Sequence, residues 1–422
     1  MLGRLALFGL GCLAFSCSSP RVVKTALEGD LPSLKRDVAA ARERGELDEG
    51  TVRELALAVL RREISSLHGA YAPALLASFS GCAAHVVPAL EGRARTGGEV
   101  AAAADRLLLG LGELSPEEAM KRFATSEEGA FRAVAAQAAV GSEYGQLRRR
   151  LLLDPDPEVR AGALRATLAE SDPKDTELLF EASRVDPDPL CRSLALRGLG
   201  QLGTLRAVRV LRDRFAQADE TTQMSIAEAW SLPKAMAAGG EAMLVWLAET
   251  GDGLPALSAA AGLLRHAGKQ RELGIAVLLR LIQQGTTSER RVAIALAPLD
   301  SAPIVVALWR ASAKDTELAL RASALSRLLS APAEVAQAKQ KLKQLLGGKD
   351  EAAFIAEQAL ARAGDESVAL ALNQHLAKDG VEHRRLAALA LLHLNRYSEV
   401  ATALADEHPR VRASIACEIV QR

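Results

Sequence analysis

The chain has few aromatic residues and no excess of charge of either sign. Phe, Tyr and Trp make up only 3% of its 422 residues, and alanine and leucine dominate. This leaves little for a thick mixed core or for stacking on nucleic-acid bases. Lys plus Arg and Asp plus Glu are equal at 52 each, so no net field attracts a polyanion. We therefore expect thin, closely packed helical layers and no nucleic-acid partner.

The chain also lacks long hydrophobic runs. The main one, 5–15 after Arg4, has about 11 residues, whereas a spanning helix needs about 20. It ends in Ala14-Phe15-Ser16-Cys17, which resembles the lipobox of bacterial lipoproteins. That resemblance implies cleavage before Cys17 and a diacylglycerol on its thiol. We expect a signal peptide over 1–16, a short tether over 17–30, a lipid anchor as the sole membrane attachment, and a location in the bacterial envelope. An ordinary secretory signal and lipidation at Cys12 remain alternatives.

Cysteine and histidine give no sign of a metal site. After such processing Cys82, Cys191 and Cys417 remain, and an odd number cannot pair completely. We interpret Cys191 and Cys417 as small buried residues in apolar helical patterns. There is no CxxC pair, and the seven histidines show no ligand spacing. We expect no metal, no cofactor and no catalytic residue.

A repeat of about 27 to 35 residues runs through most of the chain. A leading Asp is followed six residues later by Arg in its best copies, Asp154 with Arg160 and Asp186 with Arg192. Gly285 stands where one Asp is missing, and Ser225, Ser258 and Ala356 stand where an Arg is missing. The expected units begin near 126, 154, 186, 219, 252, 285, 315, 350, 379 and 406, and their other Arg positions are Arg132, Arg291, Arg321, Arg385 and Arg412.

Each unit reads as a pair of helices that cannot bury both faces alone. The leading Asp, often followed by Pro, suits a helix N-cap, and apolar residues then recur at helical spacing. The pattern resembles HEAT repeats of the short PBS-lyase type. That resemblance implies an all-α solenoid, a right-handed superhelix of about ten pairs over 126–422, in one elongated stack. It also implies a ladder in which Arg reaches the Asp of a neighbouring unit, through Asp154, Arg160, Asp186, Arg192, Asp315, Arg321, Asp379, Arg385, Asp406 and Arg412.

The two ends are less regular. We expect residues 31–125 to form an irregular helical capping region that closes the first hydrophobic face. The last repeat, which ends in Glu418, Gln421 and Arg422, is expected to be its own cap. Candidate anchors for a partner are Trp230, Trp246 and Trp309, for which core packing is the alternative, and the Arg148-Arg149-Arg150 run, for which a solvated helix end is the alternative.

These features favour a non-enzymatic scaffold or assembly factor. We expect it to bind a protein on a concave surface, and no small-molecule substrate is evident. One alternative is a lyase or chromophore-handling enzyme like those that share this repeat. Another is a cytoplasmic HEAT regulatory protein whose N-terminus only mimics a signal.

Overall fold

A computed structural model describes residues 20–28, 30–348, 350–378 and 380–422. Within these ranges the secondary structure consists of helices and turns, and no β-strand occurs. The all-α fold class is therefore confirmed. None of the described helices is long and apolar enough to cross a membrane. The expected signal peptide and Cys17 lie outside the described residues, as does Asp379 of the expected ladder.

The described residues divide into two units, and the first combines both ends of the chain, through 111 and from 361 onward. Its helices are α1 (Arg21–Glu28), α2 (Leu31–Glu43), α3 (Glu49–Ser66), α4 (Ala72–Ala77), α5 (Val87–Ala94) and α6 (Gly98–Leu111), and near the C-terminus α24 (Ala369–Lys378), α25 (Val381–His393), α26 (Tyr397–Val400) and α27 (Pro409–Gln421). Short 3₁₀ turns cover Ala83–His85, Glu366–Val368 and Ala401–Ala405.

The second unit spans 112–360 and consists of helix pairs. Its helices are α7 (Pro116–Phe123), α8 (Gly129–Ala138), α9 (Gly145–Leu151), α10 (Pro157–Ala169), α11 (Thr176–Val185), α12 (Pro189–Leu202), α13 (Leu205–Phe215), α14 (Glu220–Trp230), α15 (Pro233–Ala235), α16 (Glu241–Thr250), α17 (Gly253–Leu263), α18 (Lys269–Gln284), α19 (Thr287–Leu296), α20 (Ala302–Lys314), α21 (Leu318–Leu328) and α22 (Val335–Lys343). The unit boundary falls inside α23 (Glu351–Arg362). A π-turn covers Met236–Gly240, and 3₁₀ turns cover Ser142–Tyr144 and Pro173–Asp175.

In the second unit the first helices of successive pairs pack in chain order, α8, α10, α12, α14, α17, α19 and α21. Small residues allow this close approach. The Cα of Gly162 on α10 lies against the backbone of α8, so that an added Cβ would lie 2.8 Å from the carbonyl oxygen of Ala133. The composition rich in alanine thus reflects a core made of many helix contacts rather than of large aromatic side chains.

In the first unit α27 packs between α25 and α3. The apolar face of α27 is buried there, with Val411, Ile415 and Ile419 almost completely covered. A disulfide joins Cys82 to Cys417, with their Cα atoms 5.3 Å apart. The last repeat is therefore not its own cap, because α3 covers the face that would otherwise be exposed. Cys417 is buried, as the sequence predicts, but it is paired in this disulfide, whereas Cys191 is buried and free.

Three expected boundaries differ from the structure. Residues 361–422 belong to one unit with the N-terminal helices, which corrects the expectation of a single stack over 126–422. Helix α7 lies in the second unit, where Phe123 stacks on Phe131 at 5.0 Å, so the capping region ends near 111 rather than at 125. The expected tether over 17–30 is also wrong from residue 21 onward. Arg21–Glu28 is a helix whose Val22, Val23 and Ala26 are buried.

Candidate functional site: arginine–carboxylate pairs and a terminal groove

The leading Asp of the repeat organises the turn that precedes the first helix of a pair. In the best copies its carboxylate accepts the backbone N–H two residues later, from Asp156 to Asp154 and from Asp188 to Asp186, both at 2.9 Å. The N-cap is this later residue, and Pro follows it at the first helical position. The leading Asp is a true N-cap only in some copies, such as Asp219, which accepts from Thr222 at 2.8 Å.

The repeat arginine does two things at once. The Arg160 guanidinium donates two hydrogen bonds of 2.8 Å to the Asp186 carboxylate, from Nε and Nη2. Its Nη1 donates to the carbonyl oxygens of Asp154 and Pro155 at 2.9 and 3.0 Å. Arg132 repeats the geometry with Asp154, at 2.9 Å for both bonds. A single side chain therefore closes its own turn and holds the next repeat.

The same geometry identifies which arginines form the ladder. The functional arginine lies four residues after the N-cap, as Arg160 follows Asp156. Where the turn is one residue shorter, this position falls five residues after the start of the unit. Arg384 pairs with Asp406 at 2.7 and 2.9 Å, and Arg290 pairs with Asp315 at 3.2 Å.

Several expected ladder residues therefore have other roles. Arg385 bonds to Glu382 one turn earlier in its own helix, and Arg291 lies near Glu351 at 3.7 Å. Arg192 donates to the carbonyl oxygens of Asp186 and Pro187 but not to Asp219, which caps its own helix. Arg321 likewise bonds to the Asp315 carbonyl oxygen at 2.5 Å.

The last arginine of the series reaches a residue that the sequence analysis did not identify. Arg412 donates from Nε to Oε1 of Glu63 at 2.7 Å, and from Nη1 to the carbonyl oxygens of Asp406 and Glu407. Both side chains are buried. Glu63 lies on α3 and takes the place of the Asp of a following repeat. The sequence carries no local signal for this, because the two residues are 349 positions apart.

These pairs alter the acidity of the carboxyl groups. Burial by itself would raise the pKa of Asp186, but the hydrogen bonds from Arg160 and from the Asp188 amide outweigh it and hold that pKa below its ordinary value. The pKa values of Asp154 and Asp406 are lowered in the same way, against burial, by Arg132 and Arg384. All three carboxyl groups therefore remain charged as partners of their arginines.

The expected partner anchors divide into buried and exposed residues. Trp230 is completely buried and stacks on Phe215 at 5.3 Å, so it fills the core. Arg148 is also completely buried, where its Nε donates to Asp175 at 3.0 Å and its Nη1 donates to Gly141 at 2.9 Å. Neither side chain is available to a partner. The remaining anchors were Arg149, Arg150, Trp246 and Trp309.

Two of those four are engaged inside the protein. Arg149 donates to Asp172 and Asp175 at 3.0 and 2.9 Å, and the Trp309 indole N–H donates to Glu334 at 2.8 Å. Arg150 is exposed, and Trp246 is 45% exposed and makes a T-shaped ring contact with Phe215 at 5.7 Å. The solvated reading of the arginine run therefore holds for Arg150 alone.

The first unit contains a groove of about 810 Å³ between α2, α24 and the turn Ala401–Ala405. We call it the α2–α24 groove. Its apolar lining comes from Val38, Ala39, Leu376, Ala377, Ala403 and Ala405, and its polar lining from Lys35, Arg42, Glu43, Asn373, Arg384, Thr402, Asp406 and Glu407. The α2–α24 groove thus combines short apolar side chains with charged ones, and its volume lies within the range of known ligand pockets.

Most charges of the α2–α24 groove are already paired. Lys35 donates to Glu407 at 2.8 Å, which lowers the pKa of Glu407, and Arg384 holds Asp406. Arg42 is half-buried and makes no ion pair within the described residues. It therefore provides an unpaired cation at the groove. The lining contains no His, Cys or Ser, and no group of three or more potential metal ligands occurs in the part of the chain that the structure describes.

Comparison with known proteins places the repeats in a recognised class. Residues 145–231 match the family model for HEAT repeats. The matched segment includes the Arg160–Asp186 pair and the helices α10, α12 and α14. No curated protein matches the chain. A solved structure of an engineered protein from the Northeast Structural Genomics Consortium is 19% identical and covers 73% of this chain and 99% of its own. Its TM-score is 0.30.

Proposed function

We propose that this protein is a non-enzymatic interaction scaffold of the bacterial envelope that binds a segment of a partner protein. HEAT repeats in general serve protein binding, and the α2–α24 groove supports a specific location for it. The observation that carries the proposal is the half-buried, unpaired Arg42 beside an apolar floor of Val38 and Ala39. We infer that Arg42 receives an acidic side chain or a terminal carboxylate of the partner.

Placement in the envelope is supported by the Cys82–Cys417 disulfide. Disulfides persist in the periplasm and on cell surfaces, whereas reducing systems of the cytosol remove most of them. The disulfide therefore favours an exported protein over a cytoplasmic regulator. Together with the lipobox-like segment it supports lipid attachment at Cys17.

Site-specific crosslinking tests the proposed binding site. A photoreactive amino acid at Ala39 or at Asn373, both in the α2–α24 groove, is expected to give one discrete crosslinked product in whole cells. Arg42→Glu in the same background is expected to reduce that product at least about tenfold, because it places a like charge opposite the partner's carboxylate. The matched control is Leu205, which is 65% exposed in the other unit. The same product from Leu205, or no product from either groove position, would contradict the proposal.

Lipid attachment is tested separately by labelling cells with radioactive palmitate. We expect the label on the wild-type protein, its loss in Cys17→Ser, and its retention in Cys12→Ser. Globomycin should block processing of the wild-type chain. Label that is absent from the wild type, with the protein recovered from the cytosol, would contradict envelope anchoring and favour the cytoplasmic alternative.

A further inference from the structure

The first helix of the chain has a buried side and a basic exposed side. Val22, Val23 and Ala26 of α1 are buried, and α1 packs on α3. Arg21, Lys24 and Leu27 recur every three residues on the opposite side and are exposed, Leu27 by 51%. Exposed Lys and Arg side chains next to a membrane anchor are attracted to anionic lipid headgroups.

A shallow hollow of about 400 Å³ continues this exposed side onto the end of α3. Its lining consists of Leu27, Glu28, Arg61, Arg62, Ser65 and Ser66. Arg61 is exposed and Arg62 is half-buried. We call this surface, made of Arg21, Lys24, Leu27, Arg61 and Arg62, the α1–α3 face.

Basic groups outnumber acidic ones on the α1–α3 face. Its acidic neighbours are Glu28 in the hollow, the exposed Asp30, whose charge acts on Arg62, and Asp37, which accepts a hydrogen bond from Arg21 at 3.2 Å. Glu63 also lies next to Arg62, but it is buried and already paired with Arg412. Asp37 is mostly buried, whereas the Arg21 side chain remains 83% exposed. The face is thus locally positive although the whole chain has a formal net charge of zero, which complements an anionic surface.

The position of Cys17 limits how far the α1–α3 face can lie from a lipid attached to that residue. Only residues 18–20 separate Cys17 from the start of α1 at Arg21. Even a fully extended chain of this length reaches only about 14 Å. An acyl chain on Cys17 that enters the bilayer therefore keeps the beginning of α1 within reach of the lipid headgroups.

We propose that the α1–α3 face rests on the membrane and binds anionic phospholipid headgroups. Lys24 and Arg61 contact lipid phosphates, and Leu27 enters the interface between them. The location at a bilayer rests on the lipid anchor of the proposed function, but the affinity of the face for anionic lipid is a property of the folded chain alone. A membrane-bound α1–α3 face fixes one side of the first unit against the bilayer.

Sedimentation with vesicles tests this proposal without the lipid anchor. The protein is the processed chain from residue 17 with Cys17→Ser, which retains every residue that the structure describes. The vesicles are phosphatidylcholine alone, or phosphatidylcholine with an equal part of phosphatidylglycerol. We expect binding to the anionic vesicles that weakens as salt is added, and much weaker binding to the neutral ones.

The decisive variant is Lys24→Glu/Arg61→Glu, which is expected to lower the partition onto anionic vesicles at least about tenfold. The matched control, Arg197→Glu/Arg209→Glu, makes the same charge change at exposed positions of α12 and α13 and is expected to bind like the wild type. Unchanged circular dichroism and melting of both variants show that they are folded.

Equal loss in both variants, or no binding of the unsubstituted chain to anionic vesicles, would overturn the proposal and leave the α1–α3 face open to a protein occupant. The palmitate experiment separates the two ideas. If Cys17 is labelled but the protein does not bind vesicles, only the proposed lipid binding by the α1–α3 face is contradicted. Vesicle binding that Lys24→Glu/Arg61→Glu removes supports the face even if Cys17 carries no label.

Discussion

At the level of single residues, the arginine four positions after the N-cap joins one repeat to the next. It satisfies two turn carbonyl oxygens of its own repeat and a carboxylate of the next one, as Arg160 does with Asp186. Those carbonyl oxygens precede the helix and have no intrahelical partner, so the buried guanidinium of Arg160 satisfies them in place of water. Removing it leaves both the turn and the carboxylate unsatisfied.

Arg160→Ala is expected to lower the free energy of unfolding by about 3 kcal/mol, because it leaves the buried Asp186 carboxylate without its cation. Arg192→Ala is the matched control. Arg192 makes the two turn bonds but no carboxylate pair, so its loss is expected to cost about 1 kcal/mol. Denaturant unfolding of both variants measures the difference. Equal losses would mean that the ion pair itself contributes nothing.

The lowered pKa values of the ladder carboxyl groups predict the direction of the pH dependence. A carboxyl group whose pKa is lower in the folded state stabilises the fold fully above its unfolded pKa of about 4, and this contribution is lost as the pH falls through the folded pKa. We expect stability to fall below about pH 4 in the wild type. Asp186→Asn is expected to be less stable at pH 7 and to show a shallower decline in acid. Parallel curves for the two proteins would contradict this.

The sequence was sufficient to find the repeat. A fixed spacing of six residues from Asp to Arg, however, does not identify the ladder arginine in every copy. Asp154 and Asp186 mark their turns, and Arg160 follows from them. Counting six residues onward fails at Arg291 and Arg385, because the turn there has one residue fewer and the helix starts earlier. The side chain's direction depends on its position from the helix start, not on its distance from a carboxylate.

At the level of helices, the distance between neighbouring first helices is set by small residues. An added Cβ on Gly200 of α12 would lie 2.9 Å from both the Cα and the carbonyl carbon of Ala229 on α14. Backbone atoms cannot move aside as a side chain can, so glycine is required for this contact.

Gly200→Ala is expected to destabilise the protein by about 2 kcal/mol, despite the better helix propensity of alanine, because α12 and α14 must separate. Gly110→Ala on α6 is the control, since nothing lies within 4 Å of its added Cβ. That substitution is expected to be neutral or to stabilise by up to about 1 kcal/mol. Thermal melting distinguishes them, and a neutral Gly200→Ala would contradict the close packing of these helices.

Two buried side chains of the second unit show that the local sequence pattern of a helix does not always reveal whether a residue is buried or exposed. Arg148 lies in a run of three arginines that reads as a solvated helix end. Its burial depends on Asp175, which lies 27 residues later. Trp230 was open to either interpretation for a similar reason, because its partner Phe215 belongs to the preceding helix. A local pattern cannot specify a contact that another element provides.

At the level of the whole molecule, the two ends of the chain form one unit. The Cys82–Cys417 disulfide, the Arg412–Glu63 pair and the burial of α27 on α3 all join residues more than 300 positions apart. The local sequence patterns predict two separate caps, because neither end of the chain carries a signal that points to the other. Neither cysteine has a neighbouring sequence motif that identifies its partner.

Removing this disulfide is expected to lower the stability of the first unit by about 2–4 kcal/mol. The double variant Cys82→Ser/Cys417→Ser should melt at one temperature with or without reductant, whereas the wild type should melt lower when reduced. Cys191→Ala is the control. Burial raises the pKa of the Cys191 thiol to about 12, which keeps it unreactive, so this variant should keep the sensitivity of the wild type to reductant.

The two ends of the chain meet in one unit, and a disulfide between Cys82 and Cys417 joins them. Thiol mapping of the protein isolated from its own cells, alkylated before lysis and digested without reductant, tests this most directly. We predict one linked peptide containing Cys82 and Cys417, with alkylation at Cys191 only after denaturation. Alkylated Cys82 and Cys417 in the native protein would contradict the claim.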